Sequence, residues 1–237
     1  MRRCRRLLKT SRMTSMGVLT AALLLVAALP SPGYADMILN FGGSPGAITA
    51  VGDGTTGVTT IDSMGASTGV TISSIGGVSS SINGFLKLAA TSSGTATDIG
   101  GIIEQNFNGT FAITQNANGT GINYLSGSFS GLTFGFNGGT VATLTASDPP
   151  SAVSFTSSFS PTLPLDTPRG ASFTFSNVSP ALGIVGTGSD ATLASFTAQG
   201  SGTFSAAVPE PSSLTLAGIG VLGLVGIGLR QRKATCR

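Results

Sequence analysis

The hexapeptide Gln105-Asn106-Phe107-Asn108-Gly109-Thr110 recurs ten residues later as Gln115-Asn116-Ala117-Asn118-Gly119-Thr120. Each copy contains Asn-Gly, which tolerates the positive φ angles that a two-residue type I′ hairpin turn requires. Between the copies, Phe111 and Ile113 alternate with Ala112 and Thr114, as residues on the two faces of a strand do. One strand and one turn in every ten residues predicts an antiparallel up-and-down meander, with turns at Asn108-Gly109 and Asn118-Gly119.

The same alternation continues downstream of the repeat. Leu132, Phe134 and Phe136 share one strand face, and Asn137-Gly138-Gly139 predicts the turn that follows. Asp148-Pro149-Pro150 predicts a break, because neither proline can donate a hydrogen bond to a ladder. Further strands are predicted around these residues: Val153, Phe155, Phe173, Phe175, Phe196 and Phe204. The proline-rich residues 160–170 predict an irregular loop.

Upstream of the repeat, Gly alternates with β-branched runs at residues 58–61 and 70–75, which favours short strands over helices. Residues 82–90 fit either a brief helix or another strand. Nowhere between residues 36 and 207 do apolar residues follow a 3.6-residue period over three turns. This segment, residues 36–207, is called the body; it is therefore predicted to be all-β, an antiparallel sandwich or jelly roll of roughly ten strands with meander hairpins.

The charges of the 237-residue chain are distributed unevenly. Six of its twelve basic residues lie in the first twelve positions, and four more lie after residue 229. Between Asp36 and Val208, two basic residues face eight acidic ones, which gives a net charge of −6. A sparsely charged, acidic body argues against nucleic-acid binding, which needs a basic face. Both cysteines are terminal, at positions 4 and 236, so no disulfide is predicted in the body.

Residues 1–35 have the pattern of a secretory signal peptide. A basic segment ends at Arg12, an apolar segment that predicts a signal helix follows, and Pro30, Pro32 and Gly33 interrupt it. Small residues before Asp36 predict cleavage between Ala35 and Asp36. An uncleaved N-terminal anchor is the less favoured alternative, because the apolar segment is shorter than the ~20 residues that a membrane span prefers.

The C-terminal residues 208–237 contain three parts in a fixed order. Pro209-Glu210-Pro211 favours extended backbone, because proline fixes its own φ and restricts the residue before it. A short transmembrane helix is predicted at residues 213–229. Three basic residues follow and would hold the end in the cytoplasm as a membrane stop: Arg230, Arg232 and Lys233.

This order of motif, apolar run and basic cluster resembles the PEP-CTERM sorting signal of exported proteins in Gram-negative bacteria. The resemblance covers about an eighth of the chain. It implies that Pro209, Glu210 and Pro211 are recognised by an exosortase, a multi-span membrane transpeptidase that cuts the signal. It also implies an association with exopolysaccharide and biofilm matrix. A permanent C-terminal anchor that is never cut is the alternative.

Little catalytic chemistry is available to the body. With no histidine in the chain, Ser-His-Asp and Cys-His catalysis and His-bearing metal sites are excluded. A carboxylate pair acting on a sugar, or Ca²⁺ held near Asp53 and Asp62, remains open, although turn-forming aspartates are favoured. The Asn-x-Ser/Thr sequons at Asn108, Asn118 and Asn177 leave glycosylation open. We predict no enzyme activity, no cofactor and no bound metal.

These observations predict an exported structural protein of the cell surface or extracellular matrix. Its predicted partners are signal peptidase, the secretion machinery, an exosortase-type transpeptidase and, transiently, the inner membrane, with an exopolysaccharide as a further candidate. The alternative is a carbohydrate-binding module of the exopolysaccharide matrix. The absence of Trp, and a single Tyr in the body at position 124, weaken that alternative, because sugar sites commonly stack aromatic rings on the sugar.

Overall fold

The computed structural model describes residues 35–207, except residues 45, 66, 160–162 and 164. Within this part of the chain, the only helical element is a 3-10 turn at Gly188–Asp190. The strands are β1 (Ala35–Gly43), β2 (Ile48–Gly52), β3 (Thr59–Ser63), β4 (Thr68–Ile75), β5 (Val78–Ser92), β6 (Thr97–Ile99), β7 (Ile102–Thr114), β8 (Asn123–Phe136), β9 (Val141–Asp148), β10 (Val153–Thr156), β11 (Asp166–Ser179), β12 (Ile184–Val185), β13 (Thr192–Leu193) and β14 (Phe196–Ala207).

The predicted all-β, antiparallel body is therefore confirmed. None of the described residues belongs to a helix long and apolar enough to cross a membrane. The predicted signal helix and the predicted transmembrane helix at residues 213–229 lie outside the described residues.

Twelve of the strands form one continuous sheet, and β12 and β13 form a separate two-stranded ribbon. Pairing runs from β1 through β4, β5, β7, β8, β9 and β11 to β14, which pairs again with β1. A second path from β14 to β5 passes through β2 and β3. A sandwich or jelly roll has two separate sheets, whereas this sheet closes on itself. The second path exists because β5 and β14 are each long enough to pair with two partners along one edge, β4 and β3 along β5, and β1 and β2 along β14.

The predicted meander is present, but one of its predicted turns is not. Strands β7, β8 and β9 pair in sequence, and Asn137-Gly138-Gly139 turns β8 into β9 with Gly138 at φ 75°. Asn118 and Gly119 lie in an eight-residue connection between β7 and β8 rather than in a two-residue turn. The turn at Asn108-Gly109 is wrong, because both residues lie inside β7.

The structure gives a physical reason for the glycine at position 109. Gly109 lies directly opposite Phe129 on β8. A Cβ at Gly109 would lie 2.6 Å from the Phe129 ring and 2.8 Å from the Ala89 carbonyl oxygen. The residue at position 109 must therefore lack a side chain so that Phe129 can cross the strand. The Asn-Gly pair reflects core packing here, not a turn.

Phenylalanine rings fill the interior of the closed sheet. Phe204 on β14 is fully buried and stacks on Phe111 of β7, with ring centroids 4.5 Å apart. Phe155 and Phe173 meet Phe204 edge-on at 5.8 and 5.5 Å, and Phe41 lies 6.1 Å away. Such stacked and edge-to-face pairs add to the stabilisation from burial alone. Because the rings come from five strands, this cluster joins opposite sides of the sheet.

A buried polar network closes one part of the core. The Thr59 hydroxyl donates to Gln105 Oε1 at 2.8 Å, and Gln105 Nε2 donates to the Gly94 carbonyl at 2.8 Å. The Leu193 N–H donates to the Thr59 hydroxyl at 3.1 Å. Gln105 is 1% exposed, so these bonds supply the partners that a buried amide requires. The network fixes the β12–β13 ribbon segment to β3 and β7.

Most other strand predictions agree with the structure. Residues 82–90, left open between helix and strand, belong to β5, and the break at Asp148-Pro149-Pro150 separates β9 from β10. The irregular loop predicted for residues 160–170 is partly wrong, because β11 begins at Asp166. Phe136, which shares a strand face with Leu132, is 70% exposed, so that face is the outer one.

Thr133 provides a stability prediction. Its side chain is 1% exposed on β8, and its hydroxyl has no hydrogen-bond partner in the described structure. An unsatisfied buried hydroxyl costs about 1–3 kcal/mol. We therefore expect Thr133→Val to raise the free energy of unfolding by about 1 kcal/mol, measured by urea denaturation.

Thr59→Val is the matched control for Thr133→Val. It removes a hydroxyl that both donates to Gln105 and accepts from Leu193, so we expect it to lower the free energy of unfolding by about 1–3 kcal/mol. Equal destabilisation by the two substitutions would contradict the assignment of the Thr133 hydroxyl as buried and unsatisfied.

Candidate functional site

The strand that leads into the predicted sorting segment is held on both sides. The last residue of β14, Ala207, lies opposite Ala35 of β1 and opposite Asp166 of β11. Residues 209–211 lie outside the described residues, and their role in recognition stays a prediction.

The predicted signal-peptide cleavage site lies in the neighbouring strand. Ala35 and Asp36 are the first residues of β1, paired with Ala207 and Ala206. The Asp36 side chain is exposed, and its Oδ1 accepts a hydrogen bond from the Met37 N–H at 2.8 Å. Proteolysis generally requires a locally open chain. Cleavage between Ala35 and Asp36 would therefore have to precede the pairing of β1 with β14, the last strand of the body.

The other residues predicted to direct sorting cannot be placed. Arg230, Arg232 and Lys233 lie outside the described residues. Their function as a membrane stop therefore stays a prediction, as does cleavage between Ala35 and Asp36.

Asp53 closes a turn between β2 and β3. Its Oδ1 accepts hydrogen bonds from the Thr55 N–H at 2.9 Å, and from the Thr56 N–H and hydroxyl at 3.1 Å each. The Thr55 N–H is the main cause of a pKa lowered to about 2, because hydrogen bonds to a carboxylate favour its charged form. Asp62 is exposed on β3. Among the described residues, no three or more Asp, Glu, Cys or His side chains group to hold a metal ion.

Two further carboxylates are engaged by neighbouring donors. Asp98 accepts hydrogen bonds from the Gly101 N–H at 2.7 Å and from Asn137 Nδ2 at 2.8 Å. Asp148 Oδ2 lies 3.9 Å from Arg169 Nη1. Both carboxylates stabilise local structure in this way, Asp98 at the β8–β9 turn and Asp148 at the end of β9.

The three sequons lie in different settings. Asn108 accepts a hydrogen bond from the Ser130 hydroxyl at 2.7 Å on the outer face of the sheet. Asn118 accepts one from the Thr120 hydroxyl at 2.7 Å within the β7–β8 connection. Asn177 lies in β11 with φ 54°, a left-handed conformation that Asn adopts more readily than most residues. Glycosylation at any of them stays an open prediction.

The sequence analysis did not predict a groove on the outer face of the sheet. Along one edge, β8 pairs with β9 at residues 132–135 and with β10 at residues 126–129. A groove of about 380 Å³ lies where the partner changes. Within the described part of the chain, no charged side chain lines it. Its polar lining includes Asn106, Asn108, Ser130, Thr145, Ser147 and Ser151.

A volume of this size falls within the range of small-ligand sites. Asn106 and Asn108 are two residues apart, a spacing that places both amides on one face of a strand. The sequence analysis assigned Asn108-Gly109 to a turn and therefore did not predict this shared face.

Comparison with known proteins adds information at the C-terminus. Residues 207–233 match the model of the PEP-CTERM protein-sorting motif. This match confirms the prediction that the chain is a PEP-CTERM sorting-domain protein. The motif implies export, a C-terminal membrane-anchored sorting step and processing by exosortase-type machinery. Neither the curated proteins nor the solved structures gave a match to the chain.

Proposed function

We propose that the chain is an exported protein cut at its PEP-CTERM sorting motif, residues 207–233, and deposited at the cell surface or in extracellular matrix. The secretion machinery exports the chain, and signal peptidase removes residues 1–35. The C-terminal tail, residues 208–237, holds the body transiently at the inner membrane until an exosortase-type transpeptidase acts at residues 209–211. The match over residues 207–233, which begins at the last residue of β14, is the observation that carries this proposal.

The body itself, we propose, has a structural role and no enzyme activity or cofactor. The absence of histidine and the terminal positions of both cysteines support this, because they remove the common nucleophile–base pairs. The local hydrogen bonds of Asp53 and Asp98 support it further. A closed sheet with few unpaired edges suits a protein that persists outside the cell, because exposed edges promote aggregation.

Fractionation of a host that encodes an exosortase tests the sorting proposal. We expect the protein in the surface or matrix fraction of the parent host. In a host lacking the transpeptidase we expect a longer form in the inner membrane, because the tail is not removed. A variant truncated after Ala207 is the control and should leave the membrane in both hosts. An unchanged distribution of the full chain in the two hosts would contradict the proposal.

A second candidate function is a carbohydrate-binding module of the exopolysaccharide matrix. The groove on the outer face favours it, because amides and hydroxyls in an uncharged setting can both donate to and accept from sugar hydroxyls. The lack of Trp in the chain speaks against a site built on stacked indole rings.

A further inference from the structure

An exposed apolar row lies on the same outer face as the groove. Ile99 on β6 pairs with Ile102 on β7, and Ile102 pairs with Phe136 on β8. Their exposed fractions are 64%, 37% and 70%. Large apolar side chains aligned across three strands leave a continuous apolar surface in water. Such surfaces on exported proteins commonly mark binding sites.

The apolar row and the groove belong to one strip of sheet. Ile102, Asn106 and Asn108 occupy alternate positions of β7, so their side chains leave the same face. Six residues of strand separate Ile102 from Asn108, about 20 Å at the usual rise. We call this surface the outer strip, defined by Ile99, Ile102 and Phe136 at one end and Asn106 and Asn108 at the other.

Hydrogen-bonding capacity is free at the polar end of the outer strip. Within the described residues, the Asn106 side chain makes no hydrogen bond, and Asn108 uses only its oxygen, to accept from Ser130. The Ser147 hydroxyl, which also lines the groove, has no partner there either. Each free amide presents two donors. The polar end can therefore bind a ligand rich in hydroxyl groups without breaking existing bonds.

The charge of the surroundings limits what the ligand can be. No basic side chain lines the groove in the described structure, and Glu104 projects from β7 between the two ends of the strip. The whole body carries a net charge of −6 between Asp36 and Val208. An anionic ligand would be repelled and would find no cation to pair with.

We propose that the outer strip binds a neutral polysaccharide chain, with the apolar row against the C–H face of one sugar and the amides bonded to the hydroxyls of others. An aromatic ring attracts the slightly positive C–H groups of a sugar through the negative face of its π-system. This inference rests on the second candidate function and gives that function a site and a ligand class.

The test measures binding of the full-length chain, in detergent, to immobilised dextran, galactomannan and hydroxyethyl cellulose, with alginate as the acidic comparison. We expect binding to at least one neutral polymer and weaker binding to alginate. Phe136→Ala and Asn106→Ala should each weaken binding by about tenfold. Val78→Ala, which truncates an apolar side chain that is 66% exposed outside the strip, should leave binding unchanged.

Each other outcome overturns a defined part of the inference. Neutral-polymer binding that both strip variants retain would remove the site but keep the carbohydrate-binding candidate. Absence of neutral-polymer binding, or equal binding to alginate, would overturn the inference, and absence of all binding would also remove the candidate. The sorting proposal depends on none of these results. Equal unfolding midpoints for all variants would show that a loss of binding is not a loss of fold.

Discussion

Replacing Pro209, Glu210 and Pro211 together by alanine is expected to abolish removal of the tail, leaving a membrane-bound form with residues 208–237 intact. The substitutions remove the two fixed φ angles and the single charge of the motif, and with them the extended shape that a processing enzyme can bind. Immunoblotting of membrane and surface fractions measures the result. The predicted span is unaltered, so insertion into the membrane should not change.

The adjacent serines supply the matched control for this motif variant. Ser212→Ala with Ser213→Ala changes the two residues that directly follow the motif but leaves the prolines and Glu210 in place. We expect the tail to be removed normally from the serine variant and not to be removed from the motif variant. If the motif variant is still trimmed and released as the parent protein is, residues 209–211 are not the recognition residues.

Phe204→Ala is expected to have the largest effect on stability, about 3–5 kcal/mol lost from the free energy of unfolding. Phe204 is fully buried and contacts rings from four other strands, so its removal leaves a cavity that this rigid cluster cannot fill. A domain of this size is typically stable by only about 5–15 kcal/mol. The denaturation midpoint in urea should fall sharply.

Phe136→Ala is the control for Phe204→Ala, because it deletes the same ring at a site that is 70% exposed. We expect a stability change within about 0.5 kcal/mol. Similar losses for the two variants would show that the interior cluster around Phe204 does not dominate the stability of the body.

The strands of the body could be predicted from sequence because alternation is local. Phe173 and Phe175 recur every second residue, and both are buried on one face of β11 as that spacing requires. Phe204 follows the same rule on β14. The closure of the sheet could not be predicted in this way. One inward face is common to two packed sheets and to one closed sheet. Pairings between distant strands distinguish them, namely β14 with β1 and β2, and β5 with β7.

The repeated Asn-Gly shows why local turn signals can fail. The pair at Asn118-Gly119 lies in a connection, whereas the pair at Asn108-Gly109 lies inside a thirteen-residue strand. What separates them is a distant residue, Phe129, whose ring needs the space above Gly109. The groove was missed for a related reason. It depends on β8 exchanging β9 for β10 as its partner, which residues far apart in sequence decide.

The predicted signal-peptidase site is far from β14 in sequence but close to it in the fold. Ala35 pairs with Ala207, so the predicted N-terminus of the mature protein and the end of β14 lie side by side. Pairing at this point requires β14, which is the last of the described strands to be synthesised. This order leaves the bond between Ala35 and Asp36 open to signal peptidase while the rest of the body is still being exported.

The intact mass of the protein recovered from the cell surface tests the central claim most directly. The account predicts a chain that begins at Asp36 and ends near residues 209–211, without the apolar run and the basic cluster. Any additional mass would report glycosylation or another group attached at the cut. A surface form that retains the C-terminal residues 212–237 would contradict the account.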